Sequence, residues 1–493
     1  MSEMTTKRLP APAAAALRAV LGLGLAAGGL AAGVYVGRKI AGPDWVQVIN
    51  YVGCACYLVL VVANPLLGFL LWVVLSPYFG FALLHIPMGR GIPDLSLSRL
   101  VLALLFMLIA AQIATGRRRM APITLLDVMA LLSAIGIGLS IWPAYAPGPS
   151  LAWFLESFLM PVITYFVARN LITDERRFIG AQRALILVGL GMALVVIQEQ
   201  LMGYSWFPTV GSTYYGKHLR RVTGLLGNPA FLAVCIAMSL PFTWRALLTC
   251  SYRGRRRLLQ AAIVVMYVGL FLTYNRAGWA GGAATILIFF IFYPRFRRMI
   301  LKLSPLFVVL LIVFWPEIAG SYALSERLVA SNPISYRLQA ADLALRVFMR
   351  NPFLGIGFGN LWYLAGRYAG NTSTPLDIIA TPHNTFLWVM VSAGLAGAVP
   401  YVATFLLMGW QSLRLYWVAP RIPGMQRDVI VAFWAAMAAY LAQVIAVDML
   451  YGIYPNMLFF FIAGSTLSYQ YMTLRRARRA AAPTPAALAQ HAA

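Results

Sequence analysis

Residues 258–293 read LLQAAIVVMYVGLFLTYNRAGWAGGAATILIFFIFY. Two apolar runs, 258–274 and 277–293, meet at Asn275-Arg276. Arg253 and Arg255-Arg256-Arg257 precede the first, and Arg295 with Arg297-Arg298 follow the second. Apolar runs of about 17–25 residues are long enough to cross a bilayer as helices. A two-residue link leaves the second run no course but back through the same membrane. Both basic flanks then lie on one side, and Arg276 is placed on the other.

The same grammar extends over the chain. Approximate apolar cores fall at 15–36, 45–63, 66–86, 98–115, 123–143, 151–171, 179–201, 229–249, 258–274, 277–293, 301–316, 384–409, 429–447 and 456–472. The fold class is therefore all-α: a polytopic integral membrane helical bundle of about 12–14 transmembrane helices. Composition agrees. The 493 residues are 61% hydrophobic and 11% charged, with mean hydropathy +0.77, against roughly 25% charged residues in soluble domains. The net charge of +25 lies in short clusters between apolar runs and forms no sustained basic face, which argues against nucleic acid as a partner. Cys54, Cys56, Cys235 and Cys250 sit in or beside apolar runs, so no disulfide framework is expected. No Cys/His cluster has metal-ligand spacing, and neither a metal nor a cofactor is expected.

Charge sets the orientation. Lys7-Arg8, Arg117-Arg118-Arg119, Arg176-Arg177, the two clusters around the hairpin, Arg421 with Arg427, and Arg475-Arg476 with Arg478-Arg479 share one side. The positive-inside rule makes that side cytoplasmic and puts both termini there; Arg38-Lys39 are the exception. Four parts are expected: transmembrane helices over 1–316 with an outer loop at 204–228, a large outer loop over 317–382, further transmembrane helices over 383–474, and a disordered cytoplasmic tail over 475–493. The large loop is too long for a simple connector. Within it, residues 335–350 read as an amphipathic helix with Leu338, Leu345 and Phe348 apolar and Arg337, Asp342 and Arg346 polar.

The residues able to carry chemistry gather on the outer side. Arg276 lies in the hairpin turn, where a buried guanidinium requires an anion and a bidentate phosphate contact would satisfy it. Arg220 and Arg221 precede the span at 229, with His218 beside them. His383 opens the span at 384, where it is a candidate general base; Asn384 beside it is a natural helix cap. Arg337 and Arg346 lie on the amphipathic segment, and Asp342 gives Arg346 an ordinary i,i+4 partner. Cations at outer helix ends call for a membrane-anchored anion, such as a lipid pyrophosphate. Gly355-Ile356-Gly357-Phe358-Gly359 lacks the strand and spacing of a dinucleotide fingerprint.

These segments together resemble the bacterial O-antigen ligase and polysaccharide polymerase superfamily. The resemblance covers about 220–392 and rests on Arg221-Val222-Thr223-Gly224 with Asn228-Pro229, Asn275-Arg276-Ala277-Gly278-Trp279, Arg337 through Asn351-Pro352-Phe353-Leu354-Gly355-Ile356-Gly357, and Pro382-His383-Asn384-Thr385-Phe386-Leu387. Asn275 stands where the family usually has serine, and Ser392 where it often has glutamate. The resemblance implies metal-independent transfer of a glycan from undecaprenyl pyrophosphate, on the periplasmic side of the bacterial inner membrane. The acceptor is either another lipid-linked glycan (a polymerase) or lipid A-core (a ligase). On this reading His383 and Arg276 are the catalytic residues, and Arg220, Arg221, Arg337, Arg346, Asn384 and His218 bind substrate. A lipid-linked oligosaccharide flippase or transporter and a non-catalytic assembly protein are the rival readings.

Overall fold

A computed structural model describes residues 45–79, 85–86, 95–207, 214–215, 219–220, 222–316, 332–369 and 375–481. The helices in order are α1 (Trp45–Ala63), α2 (Pro65–Leu75), α3 (Leu97–Ala114), α4 (Leu125–Leu139), α5 (Pro147–Phe154), α6 (Met160–Leu171), α7 (Glu175–Met202), α8 (Pro229–Thr249) and α9 (Arg253–Leu272). Then come α10 (Arg276–Phe292), α11 (Pro294–Val313), α12 (Asn332–Arg350), α13 (Leu361–Tyr368), α14 (Leu376–Ile379), α15 (Thr385–Val418), α16 (Arg427–Ala446) and α17 (Ile453–Ala481). Two short antiparallel pairs, β1 (His85–Ile86) with β2 (Leu95–Ser96) and β3 (Tyr214–Tyr215) with β4 (Leu219–Arg220), are the strands among the described residues. The all-α polytopic class stands.

Among the described residues six helical segments are long and apolar enough to cross a membrane: Leu97–Ala114, Pro147–Leu171, Glu175–Met202, Pro229–Thr249, Thr385–Arg421 and Arg427–Ala446. Some other expected cores are shorter or interrupted. The core at 123–143 is helical only over Leu125–Leu139, and the one at 66–86 ends as helix at Tyr78. Asn64 ends α1 and caps α2, accepting from the Leu67 N–H at 3.1 Å, and Tyr57 donates to the Gly68 carbonyl at 2.8 Å, so α1 and α2 fold back as a hairpin. Chain direction also reverses sharply between α10 and α11, with a bend of 118°. The last helix runs to Ala481, past residue 475 where a disordered tail was expected. The expected first span at 15–36 and the residues after 481 lie outside the described residues.

The core sits around α8. From Pro229 to Leu247 nearly every residue of α8 is buried, because α7, α9, α10, α16 and α17 surround it. Small residues set this packing, since lipid gives apolar side chains no reason to prefer protein and close backbone approach decides which faces meet. A methyl group on Gly281 of α10 would lie 3.0 Å from Ala439 of α16, and one on Gly278 would lie 2.5 Å from the Ala233 side chain of α8. A second layer is formed by α4 against α15 and α6 against α17. At the other end of the bundle from Arg276, Arg245 joins the helices, paired with Asp428 at 2.9 Å and bonded to Gln182 and Gln426.

The helix α15 is broken inside the bundle at Gly394 (φ 57°, ψ −159°). An unbroken helix would bond the Leu395 and Ala396 N–H groups to the Val391 and Ser392 carbonyls four residues back. Here residues 352–357 are inserted between them. Ile356 and Gly357 donate to the Val391 and Ser392 carbonyls at 3.1 and 3.0 Å. Leu395 and Ala396 donate to the Pro352 and Phe353 carbonyls at 2.8 and 3.0 Å. Two helical bonds are thus replaced by four with the insert. The contact is backbone against backbone, and Gly355 (φ 67°) has no room for a side chain: its Cβ would lie 2.4 Å from the Val391 oxygen.

Ahead of the insert, α12 packs on α14 and α15. Its buried face is Ala340, Leu343, Ala344 and Val347, with Phe348 half-buried. Leu338 and Leu345, expected on the apolar face, are 67% and 46% exposed. The expected set mixed two sides of the helix, since three- and four-residue steps from Ala340 select the buried side.

Candidate functional site at the outer end of the bundle

Arg276 occupies the first position of α10. Its turn is held from both sides: Asn275 caps α10 by accepting from the Gly278 N–H at 2.6 Å, while the Thr273 hydroxyl donates to the Leu270 carbonyl at 2.7 Å. Trp279 donates to the Leu270 and Phe271 carbonyls at 3.2 and 3.1 Å and stacks on the Phe271 ring at 5.3 Å. Asn275 is thereby the cap of α10. The expectation that Arg276 is buried is not met: its side chain is exposed. The hairpin is tight enough to put residue 276 on the rim, ahead of the packed part of α10. A cation at a helix N-terminus lies at the positive end of the helix dipole, so guanidinium and free N–H groups reinforce each other towards an anion.

His383 is the residue before the cap of α15. Asn384 accepts from the Phe386 and Leu387 N–H groups at 3.0 and 3.1 Å, which is the capping role read from sequence. The imidazole is half-buried, with Nε2 3.5 Å from the Thr381 hydroxyl oxygen. Burial, with the Arg337 guanidinium acting in the same direction, holds its pKa below the ordinary histidine value. The neutral imidazole, which can accept a proton, is therefore favoured. Among the described residues only Tyr274 (φ 49°) and His383 (φ 50°) are non-glycine residues at positive φ. One lies two positions before Arg276 and the other is the candidate base. Such conformations cost of order 1–3 kcal/mol and gather where geometry serves function.

The two residues share one end of the bundle. α10 runs antiparallel to α16, Gly281 facing Ala439, which puts position 276 level with the last turn of α16. Gln443 of that turn donates to the Ala230 carbonyl at 3.3 Å, bringing in the start of α8. Just beyond, the Thr385 hydroxyl donates to the Val447 carbonyl at 3.2 Å and accepts from the Met449 N–H at 3.0 Å, which ties the residue two after His383 to the end of α16. α16 thus touches both the helix that Arg276 opens and the residue two after His383.

The remaining expected residues fall in three groups. Arg337 lies on the exposed side of α12 close enough to act electrostatically on His383. Arg346 points to solvent and pairs with Asp342, the bland role its spacing allowed. Arg220 lies in β4, opposite Tyr214, while His218 and Arg221 fall outside the described residues. The turn that follows Arg221 is firmly held: Glu199, wholly buried in α7, accepts from the Thr223 and Gly224 N–H groups at 3.1 and 2.7 Å.

Sequence reasoning passed over Asp448. It follows α16, is 5% exposed, and neither carboxyl oxygen has a hydrogen bond of ordinary geometry. Burial pushes its pKa up to about 7, with the Leu450 N–H opposing only in part. An acid in an outer turn was visible in the sequence; its enclosure by α15 and α17 was not. Among the described residues no three His, Cys, Asp or Glu side chains converge as a metal site.

Comparison with known proteins adds one family match. Residues 261–402 match the family model described as O-antigen ligase, a stretch that contains Arg276, Arg337, Arg346, His383 and Asn384. A chain of the solved structure "Structural coordination of polymerization and crosslinking by a peptidoglycan synthase complex" is similar at 17% identity, over 75% of this chain and 96% of that one, with a TM-score of 0.33. No curated protein matches.

Proposed function

We propose that this chain, whose residues 261–402 match the O-antigen ligase family model, is a glycosyltransferase that moves a glycan from undecaprenyl pyrophosphate to an acceptor hydroxyl at the periplasmic face of the inner membrane. The observation that carries the reading is the convergence at one bundle end of a guanidinium on a helix N-terminus and a half-buried, neutral-leaning imidazole, both inside the family-matched stretch. Arg276 and the first N–H groups of α10 bind the pyrophosphate, with Arg220, Arg221 and Arg337 adding positive field. As the bond between the anomeric carbon and the phosphate oxygen breaks, the electron pair leaves on the pyrophosphate. Preorganised donors aimed at that charge are each worth about 10²–10³ in rate. His383 accepts the proton of the attacking hydroxyl, and attack from the opposite face inverts the anomeric centre. Charge stabilisation comes from the arginines, without a metal.

The transporter reading relies on broken helices whose freed backbone groups bind substrate in mid-membrane. α15 is such a helix, but residues 352–357 occupy the groups released at its break, which favours the transferase.

Reconstitution with a defined undecaprenyl-pyrophosphate oligosaccharide tests the proposal. A ladder of longer products identifies a polymerase, and transfer only to lipid A-core identifies a ligase. His383→Ala is expected to abolish either product while donor binding persists. Full transfer by that variant, or no transfer by the wild type to any acceptor, refutes the reading.

A further inference from the structure

A cavity of about 550 Å³ opens between the turn after Arg221 (Leu226) with the start of α8 (Phe231) and the turn after Asp448 (Tyr451, Gly452). This volume lies within the range of small-molecule sites. On its far wall Arg99, at the start of α3, is ion-paired with Glu156. Glu156 belongs to a single π-helical turn, Leu155–Leu159, which separates α5 from α6. Such turns are rare and frequent at functional sites. This one divides two neighbouring side chains between different tasks: Ser157 donates to the Leu450 carbonyl at 2.6 Å inside the protein, while Glu156 faces the cavity. An acid at membrane depth is costly, and the ion pair with Arg99 accounts for its charge but not for its place on a cavity wall.

The lining identifies the ligand class. Because Arg99 is matched by Glu156, the wall is close to neutral, and a pyrophosphate brought here would meet the carboxylate. Arg99, Glu156 and the Ser96 and Ser98 side of the cavity supply polar edges, while Phe231 and Tyr451 supply flat apolar faces. Polar edges beside apolar faces match a pyranose ring, which carries hydroxyls around its rim and C–H groups on its faces. The Tyr451 ring also contacts the Trp388 ring at 5.7 Å, one turn into the helix that His383 precedes. Resting on the transferase reading above, we propose that this cavity is the acceptor subsite and binds a neutral sugar ring, with Glu156 accepting hydrogen bonds from its hydroxyls. Donor and acceptor then enter by different sides: the pyrophosphate at Arg276, the sugar at Glu156.

The test uses full-length protein in lipid nanodiscs and two kinds of ligand. The sugar probes are the methyl glycosides of glucose, galactose, mannose and N-acetylglucosamine, followed by saturation-transfer NMR; the donor probe is undecaprenyl pyrophosphate. At least one glycoside is expected to bind wild type saturably. Glu156→Gln should weaken that binding by tenfold or more, and Leu226→Trp, which fills the cavity without touching the ion pair, should abolish it. Both variants should bind undecaprenyl pyrophosphate like wild type. If Glu156→Gln does not fold, Leu226→Trp alone decides. The proposal is overturned if no glycoside binds wild type, if both variants bind glycosides unchanged, if they lose the donor probe instead, or if a phospholipid is found to fill the cavity. Loss of the cavity assignment with transfer activity intact leaves the transferase reading standing. Glycoside binding that obeys the two variants in a protein unable to transfer upholds the sugar site and refutes the transferase.

Discussion

Replacing Asp448 by asparagine removes a carboxyl that the fold resists ionising. Its pKa is raised from the ordinary 3.8 to about 7 by burial, and at 1.36 kcal/mol per pH unit this amounts to roughly 4 kcal/mol against the charged form. Because the folded pKa exceeds the unfolded one, the stabilisation from this group is complete below the unfolded value and is lost as pH rises through the folded value. At about pH 5.5 roughly half of it is gone, and by about pH 8.5 nearly all, so the wild type should lose roughly 2 kcal/mol between those conditions through this residue alone. An unfolding entropy of about 2.1 cal/mol/K per residue, over the whole chain, converts that loss to a fall of about 2 °C in melting temperature. Asp448→Asn should lack this component, melting higher than wild type by about that margin at the alkaline condition relative to the acidic one. Thermal unfolding in micelles, scanned at fixed rate, measures the difference. Asp342→Asn is the control, since Asp342 is exposed and already paired with Arg346. If Asp448→Asn and wild type keep the same separation at both pH values, Asp448 is not held neutral and the enclosure argument fails.

Three further outcomes follow from the geometry. Gly355→Ala should cost roughly 3 kcal/mol or more, from left-handed strain added to a backbone collision, whereas Gly53→Ala, with open space around the added methyl, should be neutral or better by the same unfolding assay. Arg276→Lys keeps the charge but loses the fork, so donor KM should rise roughly tenfold or more, seen by titrating undecaprenyl-pyrophosphate oligosaccharide; an unchanged KM and kcat would remove the phosphate role. The acid limb of the transfer rate should lie below the ordinary histidine range, because burial and Arg337 lower the His383 pKa and only the neutral imidazole accepts a proton; removing Arg337 as Arg337→Gln should move that limb upward.

What the sequence disclosed, it disclosed through contrast with water. The hairpin at Asn275-Arg276, the basic flanks and the cap at Asn384 all mark where helices leave the apolar phase, and each was readable. Faces within that phase were not. Lipid is as apolar as leucine, so a run such as α11, whose side chains are mostly exposed, and one such as α8, almost wholly buried, look alike in composition. Leu338 and Leu345 were misplaced for a different reason, because they lie off the face that three- and four-residue steps from Ala340 select, and Arg276 because the tightness of its hairpin leaves it on the rim. Asp448 and Glu156 were visible as acids, but their surroundings come from elements tens to hundreds of positions away. The break in α15 was hinted at only by Gly394, because the residues that complete it lie some forty positions earlier.

That break has a consequence for how the protein is made. If residues 385–418 entered the bilayer as two half-helices alone, the peptide groups of Val391, Ser392, Leu395 and Ala396 would meet hydrocarbon without partners, at several kcal/mol each. Their partners, 352–357, are synthesised first and must already be waiting when this segment leaves the translocation machinery. Membrane entry of α15 is therefore expected to be coupled to docking of residues 352–357. A chain in which residues 352–357 cannot reach this break should fail to integrate the part from 385 onward.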